Sequence, residues 1–154
     1  MKFAICNELF EGWAFERIVD CAAQVGYQGI ELAPFTFGDS VTDISSEERR
    51  AIRKTAEAAG LEIVGLHWLL TKPEGLHLMH PDKEVREKTV DYLCQLVEFC
   101  ADVGGWIMTF GSPNQRSILP GMSRETAWGF AVEGLQACGE AARSRGVMIC
   151  MEAL

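Results

Sequence analysis

No apolar run in the sequence approaches the roughly 20 residues that a membrane helix needs. The N-terminal "MKFAICNELF" has one lysine and then a short apolar stretch, without the long apolar core and cleavage site of a secretion signal. A cytoplasmic protein is therefore expected. The six cysteines, Cys6, Cys21, Cys94, Cys100, Cys138 and Cys150, include no C-x-x-C pair, so the spacing of a thiolate zinc site is missing. A cytosolic chain of this size is also not expected to carry a disulfide framework. Most of these cysteines sit in apolar-periodic stretches and read as small hydrophobes. Basic residues are outnumbered, 14 against 22 acidic, for a net charge of −8. A nucleic-acid backbone would call for a basic face, so no nucleic-acid partner is expected. There is no G-x-G-x-x-G, no phosphate loop, and no linker rich in proline, glycine or serine.

What remains is one ordinary domain's worth of chain, 154 residues with 48% hydrophobic and 23% charged. Four stretches share one plan: "AAQVGYQGIEL", "AEAAGLEIVGL", "CADVGGWIMTF" and "ARSRGVMICME". Each closes a helical pattern, places a glycine (Gly26, Gly60, Gly104, Gly146) and enters a short apolar run. Glycine just past a helix takes the left-handed conformation without steric cost. An apolar run after it suits a parallel strand covered by helices.

The helices fit this plan. Phe15, Ile18, Val19, Ala22 and Val25 share a face, as do Val85, Thr89, Leu93, Leu96, Val97 and Cys100. Ser45 with Glu48 reads as a capping box, and Ser123 caps the fourth helix with Glu125 in its first turn. The expected strands lie at about 2–6, 28–33, 61–67, 105–110 and 147–152, and the helices at 14–25, 45–59, 83–103 and 123–145. Strands alternating with helices make an α/β protein with a parallel sheet. A five-stranded doubly wound sheet would normally add a final covering helix, and this chain has none. A (β/α)8 TIM-barrel type truncated after strand five, about half a barrel, is the better fit.

In such proteins chemistry gathers at the carboxyl ends of the strands. The tips here offer Asn7 and Glu8, then Glu31, then His67, then Ser112, Asn114 and Arg116, and last Glu152. Each has a plainer reading. A glutamate at a strand end is often just solvated, and a lone histidine beside an apolar run is more often a hydrogen-bonded core residue than a ligand. Glu31 is harder to set aside, because "GIELAP" is otherwise apolar and a buried carboxylate needs a partner. His77 and His80 lie in the long connection "HWLLTKPEGLHLMHPD" and are expected at the surface. A connection of that length suggests a lid or binding loop. Trp13, Trp68, Trp106 and Trp128 are read as packing residues.

The ordered set "GIEL", "GLHWLL", "FGSPNQRS", "MSRETAW" and "MICMEAL" resembles the sugar phosphate isomerase/epimerase family, the xylose-isomerase-like TIM barrels. The resemblance covers all 154 residues and corresponds to the first half or so of a member, the N-terminal part of a single barrel domain. It implies a metal-dependent isomerase or epimerase acting on a sugar, sugar phosphate or keto-inositol, through proton transfer next to a carbonyl and an enediolate. It implies one divalent metal ion, with manganese, magnesium or cobalt expected and zinc also accommodated. Glu152 matches the first metal ligand and one catalytic acid–base glutamate. The other ligands would lie beyond Leu154, so the chain by itself is expected to be incomplete and inactive. His67 matches a histidine facing sugar oxygens, Glu31 and Asn7 sit where hydroxyls could be bound, and Arg116 could contact an anionic group or brace its loop.

Two alternatives stand beside this. An endonuclease IV-like DNA-repair nuclease shares the barrel and the strand-five glutamate, but needs further histidines, including one at the strand-four tip where this chain has "TFGSP". A non-catalytic half-barrel would expose sheet edges and an apolar face, and would be expected to self-associate.

Overall fold

The computed structural model describes residues 1–153, and Leu154 lies outside the described residues. Five strands and four α-helices alternate along the chain: β1 (Ala4–Cys6), α1 (Phe15–Val25), β2 (Gly29–Leu32), α2 (Ser46–Ala58), β3 (Glu62–Leu66), α3 (Lys83–Asp102), β4 (Ile107–Phe110), α4 (Arg124–Arg145) and β5 (Met148–Met151). All neighbouring strands pair in parallel, and the sheet order is β1-β2-β3-β4-β5. A doubly wound sheet would reverse its winding at a switch point and break that order. Strands added in sequence with helices on one side are how a barrel is wound.

The punctuation inferred from sequence is what ends the helices. Gly26 and Gly146 close α1 and α4 in the left-handed region, at φ 102° and 68°. At α2 the Ser45 hydroxyl accepts from Glu48 N while the Glu48 side chain reaches back to Ser45 N at 2.8 Å. Ser123 likewise accepts from Thr126 N at the start of α4.

Register divides the sheet into two faces. Ile30, Leu32, Leu66, Met108 and Phe110 are all fully buried. They pack with Val19 and Ala22 of α1 and with Leu93, Leu96, Val97 and Cys100 of α3 in one core cluster. The alternate residues, Cys6, Glu31, Ile107 and Thr109, face the other way and are only partly buried. One irregularity matters. Ile30 pairs with Ile63, but Glu31 pairs with Gly65, so β3 carries one extra residue, Val64.

The long connection 67–82 packs much of its length against the core. Leu69, Leu70, Leu76, Leu78 and Met79 are buried in the core, Leu78 N donates to Gln115 O at 2.8 Å, and Leu70 N donates to Ser112 Oγ at 3.2 Å. The expectation that His77 and His80 lie at the surface is corrected. His77 is only 8% exposed, and His80 is half-buried. His77 N donates to Thr89 Oγ1 and its Nδ1 accepts from Met79 N, while its Nε2 is buried without a partner among the described residues. Burial, and then the nearby His80, push the His77 imidazole below its ordinary pKa.

A depressed folded-state pKa means that the unfolded chain takes up the proton first. The His77 contribution to stability is present above about pH 6.5, the ordinary histidine value, and is lost as pH falls through the folded-state pKa below it. Thermal melts of His77→Gln should therefore lose less stability between about pH 6.5 and pH 5 than those of the unaltered protein. Parallel melting curves for the two proteins across that window would refute this.

The tryptophans also depart from expectation. Trp13, Trp68, Trp106 and Trp128 are 39%, 41%, 46% and 70% exposed, so none is a core packing residue. Trp13 instead lies under the Arg17 guanidinium at 3.7 Å, and Trp68 stacks on His67. Among the described residues, no helix is long and apolar enough to cross a membrane.

Candidate active site

Parallel pairing puts the carboxyl ends of all five strands at one rim, and the partly buried face supplies the polar side chains there. Glu31 sits in the middle of β2, on the face opposite Ile30 and Leu32. His67 follows β3 directly, with its N donating to Leu32 O at 2.9 Å. Glu152 follows β5, with its N donating to Phe110 O at 3.1 Å. These ladder bonds bring three residues distant in sequence together. His67 Nδ1 is 3.4 Å from Glu31 Oε2, and His67 Nε2 is 3.6 Å from Glu152 Oε2. The imidazole thus stands between two carboxylates, each of the three side chains between a quarter and about a third exposed.

The surrounding groups hold this arrangement. Thr109 Oγ1 donates to Glu31 Oε1 at 3.2 Å, which leaves Oε2 turned to the imidazole. The Trp68 ring lies 5.7 Å from the His67 ring at 28°. Arg116 Nη2 donates to the Glu152 carbonyl at 2.6 Å, and its Nε donates to Gly111 O. Arg116 therefore ties the loop after β4 to the tip of β5. Asn7 is 2% exposed: its Oδ1 accepts from Ala33 N at 2.7 Å and its Nδ2 donates to Thr36 Oγ1 at 2.8 Å. It fastens the loop after β1 to the end of β2. Ser112 is buried and Asn114 is exposed.

A residue that the sequence reading took for a small hydrophobe joins them. Cys6 ends β1 in register with Glu31, and donor atoms of Cys6, Glu31 and His67 all lie within 4.8 Å of one another. Burial, and then the Glu8 side chain beside it, push the Cys6 thiol well above its ordinary pKa. The thiol is thus a protonated S–H at neutral pH in the absence of an ion, not a free nucleophile. A cleft of about 900 Å³ opens beside the first two tips, lined by Asn7, Glu8, Trp13, Phe35 and Thr36 among others. It is large enough for a small ligand.

The chain matches a sequence profile of the xylose isomerase-like TIM barrels over residues 19–154. Among solved structures it is similar to a D-psicose 3-epimerase determined in the presence of D-fructose, with a TM-score of 0.80, 20% identity, and coverage of 100% of this chain and 53% of the other. It is similar to the D-psicose 3-epimerase of Clostridium cellulolyticum H10, with a TM-score of 0.81, 17% identity and the same coverage. It is also similar to a 3-keto-D-glucoside 4-epimerase from E. coli, with a TM-score of 0.75, 14% identity, and coverage of 100% and 56%. A search of curated proteins gives no match. The chain spans about half the length of the solved structures it matches. The five sequential parallel strands, the polar rim at their carboxyl ends and the profile match agree, and this chain belongs to the xylose isomerase-like TIM barrel family.

Proposed function

We propose that this chain carries part of the active site of a sugar, sugar phosphate or keto-inositol isomerase or epimerase. The observation that carries the reading is the imidazole of His67 between the carboxylates of Glu31 and Glu152 at the strand tips, 3.4 and 3.6 Å away. Moving a hydrogen next to a carbonyl needs a base for a weakly acidic C–H bond, and hydrogen-bond donors and acceptors for the sugar's carbonyl and hydroxyl groups. A partly exposed carboxylate at a strand tip suits the first part. An imidazole and a second carboxylate, both held by neighbours, suit the second.

In this reading Glu152 removes the proton. The C–H bond breaks, its electron pair forms the C=C bond of the enediolate, and the carbonyl oxygen takes the charge. Delivery of the proton to the neighbouring carbon, with that carbon's hydroxyl proton passing to the former carbonyl oxygen, isomerises the sugar; a proton given to the opposite face of the same carbon by a second acid, while Glu152 keeps the one it removed, epimerises it. His67 presents Nε2 toward the sugar oxygens, with its ring stacked on Trp68 and Glu31 lying on the Nδ1 side. Asn7 and Arg116 act as positioning residues, the first for the β2 tip and the second for the β5 tip.

Glu152 also fits a divalent metal ion of the manganese, magnesium or cobalt kind, because it offers a partly exposed oxygen donor whose backbone is fixed by Arg116. Such an ion, when bound, would supply the positive charge that makes the adjacent C–H acidic.

The test is solvent exchange. The protein as its gene encodes it, supplied with manganese, is incubated in D2O with ketoses, ketose phosphates and inosose. Deuterium should enter at the carbon next to the carbonyl of at least one of them. Absence of exchange with all three substrate classes would sink the reading.

A further inference from the structure

We propose that Cys6, Glu31 and His67 form a zinc-class metal site of their own, separate from any ion held by Glu152. The three residues come from adjacent strands on one face. Cys6 pairs with Glu31, and His67 is fixed to the end of β2 through Leu32 O. One sulfur, one carboxylate oxygen and one imidazole nitrogen converge within 4.8 Å.

The spacing suits coordination better than a hydrogen bond. His67 Nδ1 and Glu31 Oε2 are 3.4 Å apart and are not hydrogen-bonded. Two ligands each about 2.1 Å from a tetrahedral ion sit roughly 3.4 Å apart. Glu31 Oε2 is the oxygen that Thr109 leaves free. The imidazole is stacked on the Trp68 ring.

The charge around the site is right for a cation. The Glu8 carboxylate lies beside Cys6, and its Oε2 is buried with no hydrogen-bond partner among the described residues. With Glu31 that makes two carboxylates beside one thiol. Arg116, which reaches this rim, gives its N–H groups to the carbonyls of Gly111 and Glu152.

Sulfur sets the choice of ion. Carboxylate oxygens alone would suit magnesium or manganese, whereas a thiolate with an imidazole favours zinc or cobalt. Binding involves no redox change: the Cys6 S–H bond breaks, the proton goes to solvent, and the sulfur lone pair goes to the metal. Three protein ligands leave a fourth tetrahedral position for water. Nothing in this donor set depends on sugar chemistry.

Cobalt(II) is the probe. Added to the protein as its gene encodes it, cobalt should give a near-ultraviolet thiolate-to-metal absorption band. The band should be absent from Cys6→Ser and retained in Glu152→Gln. Cobalt affinity should fall roughly 100-fold or more in Glu31→Gln, since removing a ligand should cost at least as much as removing an outer-shell partner. A check that needs no substitution is alkylation mapped by mass spectrometry, where zinc should slow labelling of Cys6 in the unaltered protein. No band at saturating cobalt, a band that survives Cys6→Ser, or Cys6 labelling indifferent to zinc would each overturn the site. Failure of deuterium exchange would leave the cobalt result intact, so the two proposals fall separately.

Discussion

Gly65→Ala is expected to unfold or grossly destabilise the protein. A Cβ built on Gly65 would lie 1.9 Å from the carbonyl oxygen of Ile107, far inside van der Waals distance, and 2.7 Å from its carbonyl carbon. The obstacle is backbone, so no side-chain rotation relieves it. Either β3 and β4 separate and give up their pairing, or the chain does not adopt this sheet. Filling a well-packed site with one methylene costs about 1–3 kcal/mol even where side chains can move. Here the cost should exceed about 3 kcal/mol, a large part of the roughly 5–15 kcal/mol by which domains are stable. Gly129, in α4, is the matched control, because a Cβ there meets nothing within 4 Å. Gly129→Ala should raise stability by about 0.5–1 kcal/mol through helix propensity. Urea denaturation of both variants decides the matter: equal midpoints would mean that β3 and β4 do not approach each other this closely.

Glu152→Gln is expected to abolish turnover while leaving the fold intact. The amide keeps the shape of the side chain and removes both its basicity and its charge. Loss of general-base function typically costs roughly 10²- to 10⁴-fold, and the same change removes a metal ligand, so kcat should fall about 10³-fold or more. Manganese affinity, followed by calorimetry on the protein as its gene encodes it, should fall in parallel. The Glu152 backbone N–H and carbonyl are held by Phe110 and Arg116 and do not depend on the side chain, so the melting temperature should barely move. A variant that retained activity would remove Glu152 from the chemistry.

The fold was legible in sequence where local rules govern it. Gly26, Gly60, Gly104 and Gly146 all have φ between 68° and 102°, and a left-handed residue after a helix is a strong, short-range signal. The Ser45 and Ser123 caps are equally local. Glu31 stood out as a lone charge in an apolar run, and His67 and Glu152 as the first polar residues after theirs. Cys6 gave no such signal. Its meaning depends on pairing with Glu31, which is a matter of register between strands rather than of composition. His77 was misjudged for a similar reason. Its burial follows from Thr89 and from the packing of Leu76, Leu78 and Met79, neighbours that no single window of sequence reveals. The tryptophans failed the opposite way, since a large apolar ring does not say whether anything will cover it.

The extra residue in β3 acts as a change of phase. Counted by twos from Ile63, which is buried opposite Ile30, residues 65 and 67 would point into the helix-covered core. The bulge takes up Val64, so that Leu66 still goes to the core beside Leu32 and His67 still emerges beside Glu31. The strand therefore has two independent halves, one answering to packing and the other to the rim. Without Val64 the remaining residues would alternate evenly, and the histidine would keep its place. One more residue between Gly65 and Leu66 would shift the second half by a step and turn the imidazole into the core, with every other residue of the site unchanged.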